Sequence, residues 1–166
     1  DFWTNVLYQQ LLQKALGFIA KDLKQYDNVC GIQVVNEAVF SNDAVTQKTF
    51  YKNALNEIRE HDSLVPVIIS DGWWPNQWVE WIQNELSGET GLVVDHHCYR
   101  CFAPADKGKR AEQIIEDLNK DLLTNLNHNG QGVDFMVGEW SCVLSAESWA
   151  NSGIDPSNEK DPKRVE

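Results

Sequence analysis

Two glutamates of this chain follow short apolar runs, where a carboxylate is hard to explain as a structural residue. Glu37 comes directly after a run at 29–36 that is rich in β-branched residues, and Glu139 comes after an apolar run at 135–138. Such runs are typical of buried strands. A carboxylate at the end of a buried strand is costly to desolvate unless it is hydrogen-bonded or protonated. Two such carboxylates could work as an acid/base and a nucleophile; the structural alternative is that Asn36 and Glu37 cap the following helix.

Polar and aromatic residues also follow the two apolar runs that lie between these glutamates. Residues 70–74 read Ser-Asp-Gly-Trp-Trp, and residues 95–99 read Asp-His-His-Cys-Tyr. In parallel α/β folds the carboxyl ends of the strands meet at one edge of the sheet, and the sites lie there. We therefore predict a site at this edge, with Asp71 as a candidate supporting hydrogen-bond partner. Asp95 could have the same role, but a structural hydrogen bond beside the two histidines is favoured for it.

The rest of the chain provides the elements that would position these residues. Apolar side chains recur at spacings of three and four in four segments, which predicts helices near 4–26, 41–60, 76–86 and 110–127. Strands are predicted near 29–36, 65–70, 92–97 and 133–139. This alternation predicts an α/β fold with a parallel sheet. A flavodoxin-like open sheet and half of a (β/α)8 barrel both fit the pattern, and residues 155–166 are predicted to be a polar tail or loop.

Composition limits the classes of partner. The 166 residues are 42% hydrophobic and 23% charged, which suits a single globular domain. A net charge of −11 argues against nucleic acid and anionic membranes as partners. No apolar run approaches the roughly 18 residues of a membrane span, so we expect no membrane insertion. Four tryptophans cluster between 73 and 81, where they could stack on sugar rings or pack in a core.

The cysteines and histidines allow other hypotheses. The four cysteines could form one or two disulfides or stay as buried thiols; they are Cys30, Cys98, Cys101 and Cys142. His96 and His97 with two of these cysteines superficially suit zinc, but neighbours on a strand point to opposite faces, so we predict no metal. Cys98 and Cys101 are a poor redox pair, because that motif should open a helix. No phosphate-binding glycine loop follows any strand, and we predict no cofactor.

Four stretches resemble glycoside hydrolase family five, and within it the fungal exo-β-1,3-glucanases (glucan 1,3-β-glucosidases). They are Asn36-Glu37, residues 65–69, residues 93–102 and residues 137–141. The resemblance covers nearly all of residues 6–150 and implies a (β/α)8 TIM-barrel hydrolase. The four predicted strands would be strands four to seven, and the chain would be a fragment without the first three strands and the eighth. No phosphate or nucleotide site belongs to this expectation.

The resemblance implies roles for the residues that match its motifs. Glu37 would be the acid/base and Glu139 the nucleophile, while Asn36 would bind the 2-hydroxyl of the sugar. The family usually has Asn-Glu-Pro, whereas Ala38 stands in place of the proline here, which affects the turn after the strand.

The remaining implied site residues lie on or near the other strand ends. His97 and Tyr99 would line the subsite of the cleaved sugar, and Tyr99 could donate a hydrogen bond to Glu139. Phe102 and Trp73 fall where the family has aromatic residues near the pocket mouth.

The expected function is that of a retaining β-glycosidase that hydrolyses β-glucan, with β-1,3-glucosidic bonds as the first choice. We expect a monomer that is secreted or associated with the cell wall, whose signal peptide lies outside these residues. The alternative is a catalytically inactive carbohydrate-binding or scaffold protein on the same fold. Two strand-end glutamates favour the enzyme, because a binding protein needs neither. The exact linkage, and exo or endo action, stay open.

Overall fold

Strands and helices alternate along the chain as the sequence predicts. A computed structural model describes residues 2–39, 44–122, 126 and 132–165. The strands are β1 (Ile32–Gln33), β2 (Val67–Ser70), β3 (Leu92–Cys98) and β4 (Asp134–Trp140). The α-helices are α1 (Val6–Leu23), α2 (Ala44–His61), α3 (Asn76–Glu85), α4 (Ala111–Asp117), α5 (Ala146–Ser152) and α6 (Pro162–Val165). The chain forms two compact units: unit one is 1–96 with 128–136, and unit two is 97–127 with 137–166.

The order of the strands decides between the two predicted architectures. The sheet has the order β1-β2-β3-β4, and the β1–β2 and β2–β3 pairs are parallel. Val67 lies opposite both Ile32 and Leu92, so the register is continuous across the three strands. A flavodoxin-like sheet would place its strands out of sequence order. Sequential parallel strands that alternate with helices make this α/β fold part of a (β/α)8 barrel.

The first strand is much shorter than the predicted 29–36. The N–H of Ile32 donates to the carbonyl of Pro66 (2.8 Å) and the N–H of Val34 to that of Ile68 (3.0 Å), so the ladder stops at Val34. The chain then turns at Asn36 and Glu37. The second strand begins at Val67, directly after Pro66, which has no N–H to donate.

The core of unit one lies between the sheet and α1–α3. Phe50, Ile58, Val67 and Val94 have no exposed surface, and each faces this core. Trp78 and Trp81 of α3 are buried as well, with their rings edge to face at 5.7 Å. They therefore pack in the core, which settles one of the two readings of the tryptophan cluster for this pair.

Among the described residues, unit two contains the end of β3, the second part of β4 and the helices α4, α5 and α6. Within the predicted helix 110–127, α4 covers Ala111–Asp117 and a π-helical turn follows at Leu118–Leu122. α5 begins after Ser145, whose Oγ accepts the N–H of Ser148, and ends at Gly153 with φ 65°. α6 is a short helix within the stretch predicted to be a polar tail.

Three sequence expectations concern single features. Residues 41–43, where the predicted helix 41–60 begins, lie outside the described residues. The four cysteines are free thiols in this structure. No helix among the described residues is long and apolar enough to cross a membrane.

Candidate active site

Glu37 adopts a backbone conformation that L-residues avoid. Its φ is 46°, and Trp73 is the other described residue besides glycine with a positive φ. For a residue with a Cβ this region costs about 1–3 kcal/mol and persists only where the surrounding structure enforces it. Asn36, which precedes it, has no positive φ and is exposed. The left-handed residue therefore turns the chain directly at the predicted acid/base.

Two buried side chains of unit one hold the backbone that follows Glu37. The N–H of Ala38 donates to Oγ of Ser70 at 3.1 Å. Nε2 of Gln47, on α2, donates to the carbonyl of Val39 at 2.6 Å. Ser70 is 4% exposed and Gln47 is fully buried. These contacts fix the segment 37–39 from the end of β2 on one side and from α2 on the other.

A buried carboxylate organises the turn after β2. Asp71 is 2% exposed, and its Oδ2 lies 2.5 Å from Nδ1 of His96. Its Oδ1 accepts the N–H of Trp73 at 2.8 Å. Gly72 and Trp73 both have left-handed φ angles, 61° and 63°, and the Trp73 side chain is half exposed. Asp71 thus supports the turn that presents the Trp73 indole to solvent.

The neighbouring aspartate has a structural environment. Asp95 is buried, and its Oδ2 accepts a hydrogen bond from Nε2 of Gln33 at 2.9 Å. The Asp95 carbonyl also accepts the N–H of Asp71 at 3.0 Å. Asp95 therefore links three parallel strands of unit one through its side chain and backbone, the structural role that the sequence favours for it.

In unit two, Tyr99 and His97 contact the carboxylate of Glu139. The Tyr99 hydroxyl donates to Oε2 of Glu139 at 2.8 Å, and Nδ1 of His97 lies 3.5 Å from the same oxygen. His97 is buried, whereas the Glu139 side chain is 41% exposed. The predicted hydrogen bond from Tyr99 is present. A carboxylate that is held in one orientation and open to solvent on one side is suited to nucleophilic attack.

Aromatic surface lies next to this carboxylate in unit two. The Phe102 ring packs edge to face on the ring of Tyr99, with centroids 5.9 Å apart, and it is 73% exposed. Trp140, directly after Glu139, is also largely exposed. His97 belongs to this group, whereas His96 bonds to Asp71 in unit one. The two adjacent imidazoles thus have different carboxylate partners, as their opposite directions on the strand lead one to expect.

Sequence reasoning placed Ser70 in the strand-end run 70–74 without assigning it a role, and it missed Gln47. The position of Ser70 at a strand end is a weak signal that could have singled it out. Gln47 lies inside an ordinary helical pattern, and nothing in its sequence context marks it as a buried donor to the loop after β1.

Comparison with known proteins identifies the relatives of this chain. No protein-family model matches it. Glucan 1,3-beta-glucosidase 3 of Schizosaccharomyces pombe is 34% identical over 167 residues, which cover 97% of this chain. The chain is related to the fungal glucan 1,3-beta-glucosidases. This confirms the resemblance that the strand-end motifs indicate.

Two further relatives agree with this result. An uncharacterized glycosyl hydrolase of Saccharomyces cerevisiae is 43% identical over 129 residues, which cover 78% of this chain and 25% of that protein. A glucan 1,3-beta-glucosidase of Kluyveromyces lactis is 28% identical over 138 residues, covering 75% of this chain and 29% of that protein. For the Schizosaccharomyces pombe protein the covered share is 33%. The chain therefore spans a third or less of the length of each of these relatives.

Proposed function

We propose that the full-length protein is a retaining β-glycosidase that hydrolyses β-glucan, with β-1,3-glucosidic bonds as its first substrate class. The observation that carries this proposal is the carboxylate of Glu139 near the end of β4, held by Tyr99 and approached by His97. Relatives named as glucan 1,3-beta-glucosidases support the substrate class. In (β/α)8 barrels the catalytic residues lie at the carboxyl ends of strands, where both Glu37 and Glu139 are found.

The proposed reaction has two displacements. Glu139 attacks the anomeric carbon, a covalent glycosyl-enzyme forms, and the bond to the leaving oxygen breaks as Glu37 gives that oxygen its proton. Glu37, now a carboxylate, takes a proton from water, and the resulting hydroxide attacks the anomeric carbon and releases Glu139. Two inversions give net retention. The mechanism requires carboxyl groups about 5–5.5 Å apart, because no water has to fit between nucleophile and substrate in the first step.

The other predicted site residues would bind the sugar. Asn36 offers an amide for the 2-hydroxyl, and His97 and Tyr99 would contact the sugar whose bond is cleaved. The exposed rings of Trp73 and Phe102 offer faces for stacking on further sugar units. A polysaccharide of this kind is reached outside the cell, so we also propose a secreted or cell-wall-associated monomer.

The exposed aromatic rings also suit a second candidate, a carbohydrate-binding or scaffold protein without turnover. Trp73 and Trp74 in unit one and Phe102 in unit two each expose an aromatic ring, and such rings would bind glucan whether or not hydrolysis follows. Binding of laminari-oligosaccharides by the wild-type full-length protein, without release of reducing sugar, would favour this candidate over the enzyme.

The test uses carboxylate variants of the full-length protein. We expect Glu139→Ala to abolish hydrolysis of an aryl β-glucoside and azide to restore turnover with an α-glucosyl azide product, because the small anion fills the space of the nucleophile. We expect Glu37→Ala to impair substrates with poor leaving groups far more than an activated aryl glucoside. The exposed Glu159 provides the control, Glu159→Ala, which should keep wild-type activity. Wild-type activity in Glu139→Ala would overturn the proposal.

A further inference from the structure

We propose that Ser70 is a positioning residue for Glu37, and that it acts through the N–H of Ala38. The inference rests on the proposed acid/base role of Glu37 and adds the group that holds this side chain in place. Ser70 is the last residue of β2, and its Oγ accepts the Ala38 N–H at 3.1 Å across 32 positions of sequence. Ser70 does not need to touch the substrate for this role.

A hydrogen bond at Ala38 controls Glu37 because the peptide unit between them is planar. When the Ala38 N–H is fixed, the rotation about the Cα–C bond of Glu37 is fixed as well. Glu37 has φ 46°, a conformation that a residue with a Cβ leaves unless contacts enforce it. Without an acceptor at Ser70, the turn could relax to a common conformation and the carboxyl group would point elsewhere.

Ser70 is held in place by the sheet, because it lies opposite Asp95 in the β2–β3 pair, and a longer contact reaches it from α2. Its carbonyl accepts a 3.5 Å hydrogen bond from the hydroxyl of Tyr51, a residue of α2 that is 2% exposed. Burial, and to a lesser degree the charge of Asp71, raise the pKa of Tyr51, so the phenol stays protonated and can donate. From the same helix, Gln47 holds the carbonyl of Val39. The strand end thus holds the Glu37–Ala38 peptide itself, and helix α2 holds the backbone that follows it.

The hydrogen bond to Ser70 depends on the residue at position 38. The motif of the family that this chain resembles has proline there, and proline has no N–H. Ala38 supplies the donor in this chain, and it is 4% exposed, so water is a poor substitute for Ser70. A hydroxyl at position 70 and a residue with an N–H at position 38 form one unit.

The test compares Ser70→Ala with a matched serine elsewhere in the full-length protein. Ser152, at the end of α5, is 2% exposed, and its Oγ accepts the backbone N–H of Ala111 at 2.8 Å. Ser152→Ala therefore removes the same kind of buried contact in unit two, together with the hydrogen bond that Oγ of Ser152 donates to the Ser148 carbonyl at 2.7 Å. Ser152→Ala should lose at least as much stability as Ser70→Ala, so a loss of stability alone cannot produce the effect expected of Ser70→Ala.

The readout is the dependence of kcat/KM on the leaving group. We expect Ser70→Ala to lower kcat/KM about tenfold for a substrate that needs protonation, such as a methyl β-glucoside or laminaribiose, because the proton donor is misplaced. The activated 2,4-dinitrophenyl β-glucoside, which leaves without protonation, should stay within about twofold. Ser70→Thr keeps the hydroxyl and should restore the poor substrates, whereas the isosteric Ser70→Val should not. Ser152→Ala should change both substrates by the same small factor.

Three outcomes separate the inference from the proposed function. Equal losses on both substrates in Ser70→Ala, or equal behaviour of the Thr and Val variants, would overturn the positioning role. If Glu37→Ala shows the leaving-group signature and Ser70→Ala does not, this inference alone fails. If Glu37→Ala lacks the signature, the proposed acid/base role fails first. Should Ser70→Ala not fold, the Ser70→Thr and Ser70→Val pair decides, because the two side chains have the same shape.

Discussion

The left-handed backbone at Glu37 predicts that, among variants without the carboxyl group, glycine at position 37 gives a more stable protein than alanine does. Glu37→Gly and Glu37→Ala both remove the carboxyl group and the side-chain contacts, so their comparison isolates the backbone. Only glycine adopts φ 46° without a steric cost. The expected result is a Glu37→Gly variant that is more stable than Glu37→Ala, although both are inactive on substrates that need a proton donor.

The size of the effect follows from two opposing contributions. The left-handed conformation costs a residue with a Cβ roughly 1–2 kcal/mol. The advantage of glycine is reduced by about 0.4–1 kcal/mol, because the unfolded chain with glycine has more conformations to lose on folding. The difference in unfolding free energy should therefore be about 0.5–1 kcal/mol in favour of glycine. At the neighbouring Asn36, which has no positive φ, only the second contribution acts, and Asn36→Gly should be less stable than Asn36→Ala.

The assay is urea unfolding of the four variants in the full-length protein, with tryptophan fluorescence as the signal that reports unfolding. A reversal of sign between adjacent positions 36 and 37 is the expected result. A Glu37→Gly variant that is less stable than Glu37→Ala would refute the claim that the fold imposes backbone strain at the proposed acid/base.

Two further predictions concern hydrogen-bonded carboxylates. Tyr99→Phe removes the 2.8 Å hydrogen bond to Glu139, whose side chain is 41% exposed. A loss of about 1–1.4 kcal/mol should slow formation of the glycosyl-enzyme about five- to tenfold, as measured by rapid mixing. The exposed control Tyr8→Phe should not slow this step, and an effect of Tyr99→Phe below about twofold would contradict the role of Tyr99. Hydrogen bonds from the N–H groups, of Leu64 first and then Val65, lower the pKa of Asp62 below its ordinary 3.8. The stabilisation by the Asp62 carboxylate is therefore present above pH 3.8 and is lost as the pH falls through the lowered pKa. Asp62→Ala should lower the free energy of unfolding at pH 7, and its difference from wild type should shrink below pH 3.8. A difference that does not change with pH in urea unfolding would contradict this prediction.

Local sequence pattern was sufficient to predict the features that repeat along the chain. The alternation of strands and helices predicts the α/β fold, and the strand ends single out Glu37 and Glu139 as candidates because a buried carboxylate there has no obvious structural use. The expectation of a buried strand before Glu139 is wrong, because most residues of β4 are exposed in this structure. The donor position of Tyr99 could be predicted as well, since the motif that resembles the family contains it. The sequence left the flavodoxin-like and barrel alternatives open, and the strand order decided between them.

The features that sequence could not predict depend on pairing between distant segments. The length of β1 is set by the last backbone hydrogen bond that it makes with β2. The contact of Ala38 with Ser70 joins residues 32 positions apart. Positive φ angles are expected at glycine or asparagine, yet here they also occur at Glu37 and Trp73. Both residues follow strands near side chains that enforce the turn, which no local propensity reveals.

The proposed retaining mechanism requires that Glu139 becomes covalently bound to the sugar. Incubation of the full-length protein with 2,4-dinitrophenyl 2-deoxy-2-fluoro-β-glucoside should trap this species, because the fluorine slows its hydrolysis more than its formation. Mass spectrometry of the digested protein should then find the fluoroglucosyl group on the peptide that contains Glu139, and on no other carboxylate. A label on a different residue, or complete turnover with an α-configured first product, would contradict the mechanism.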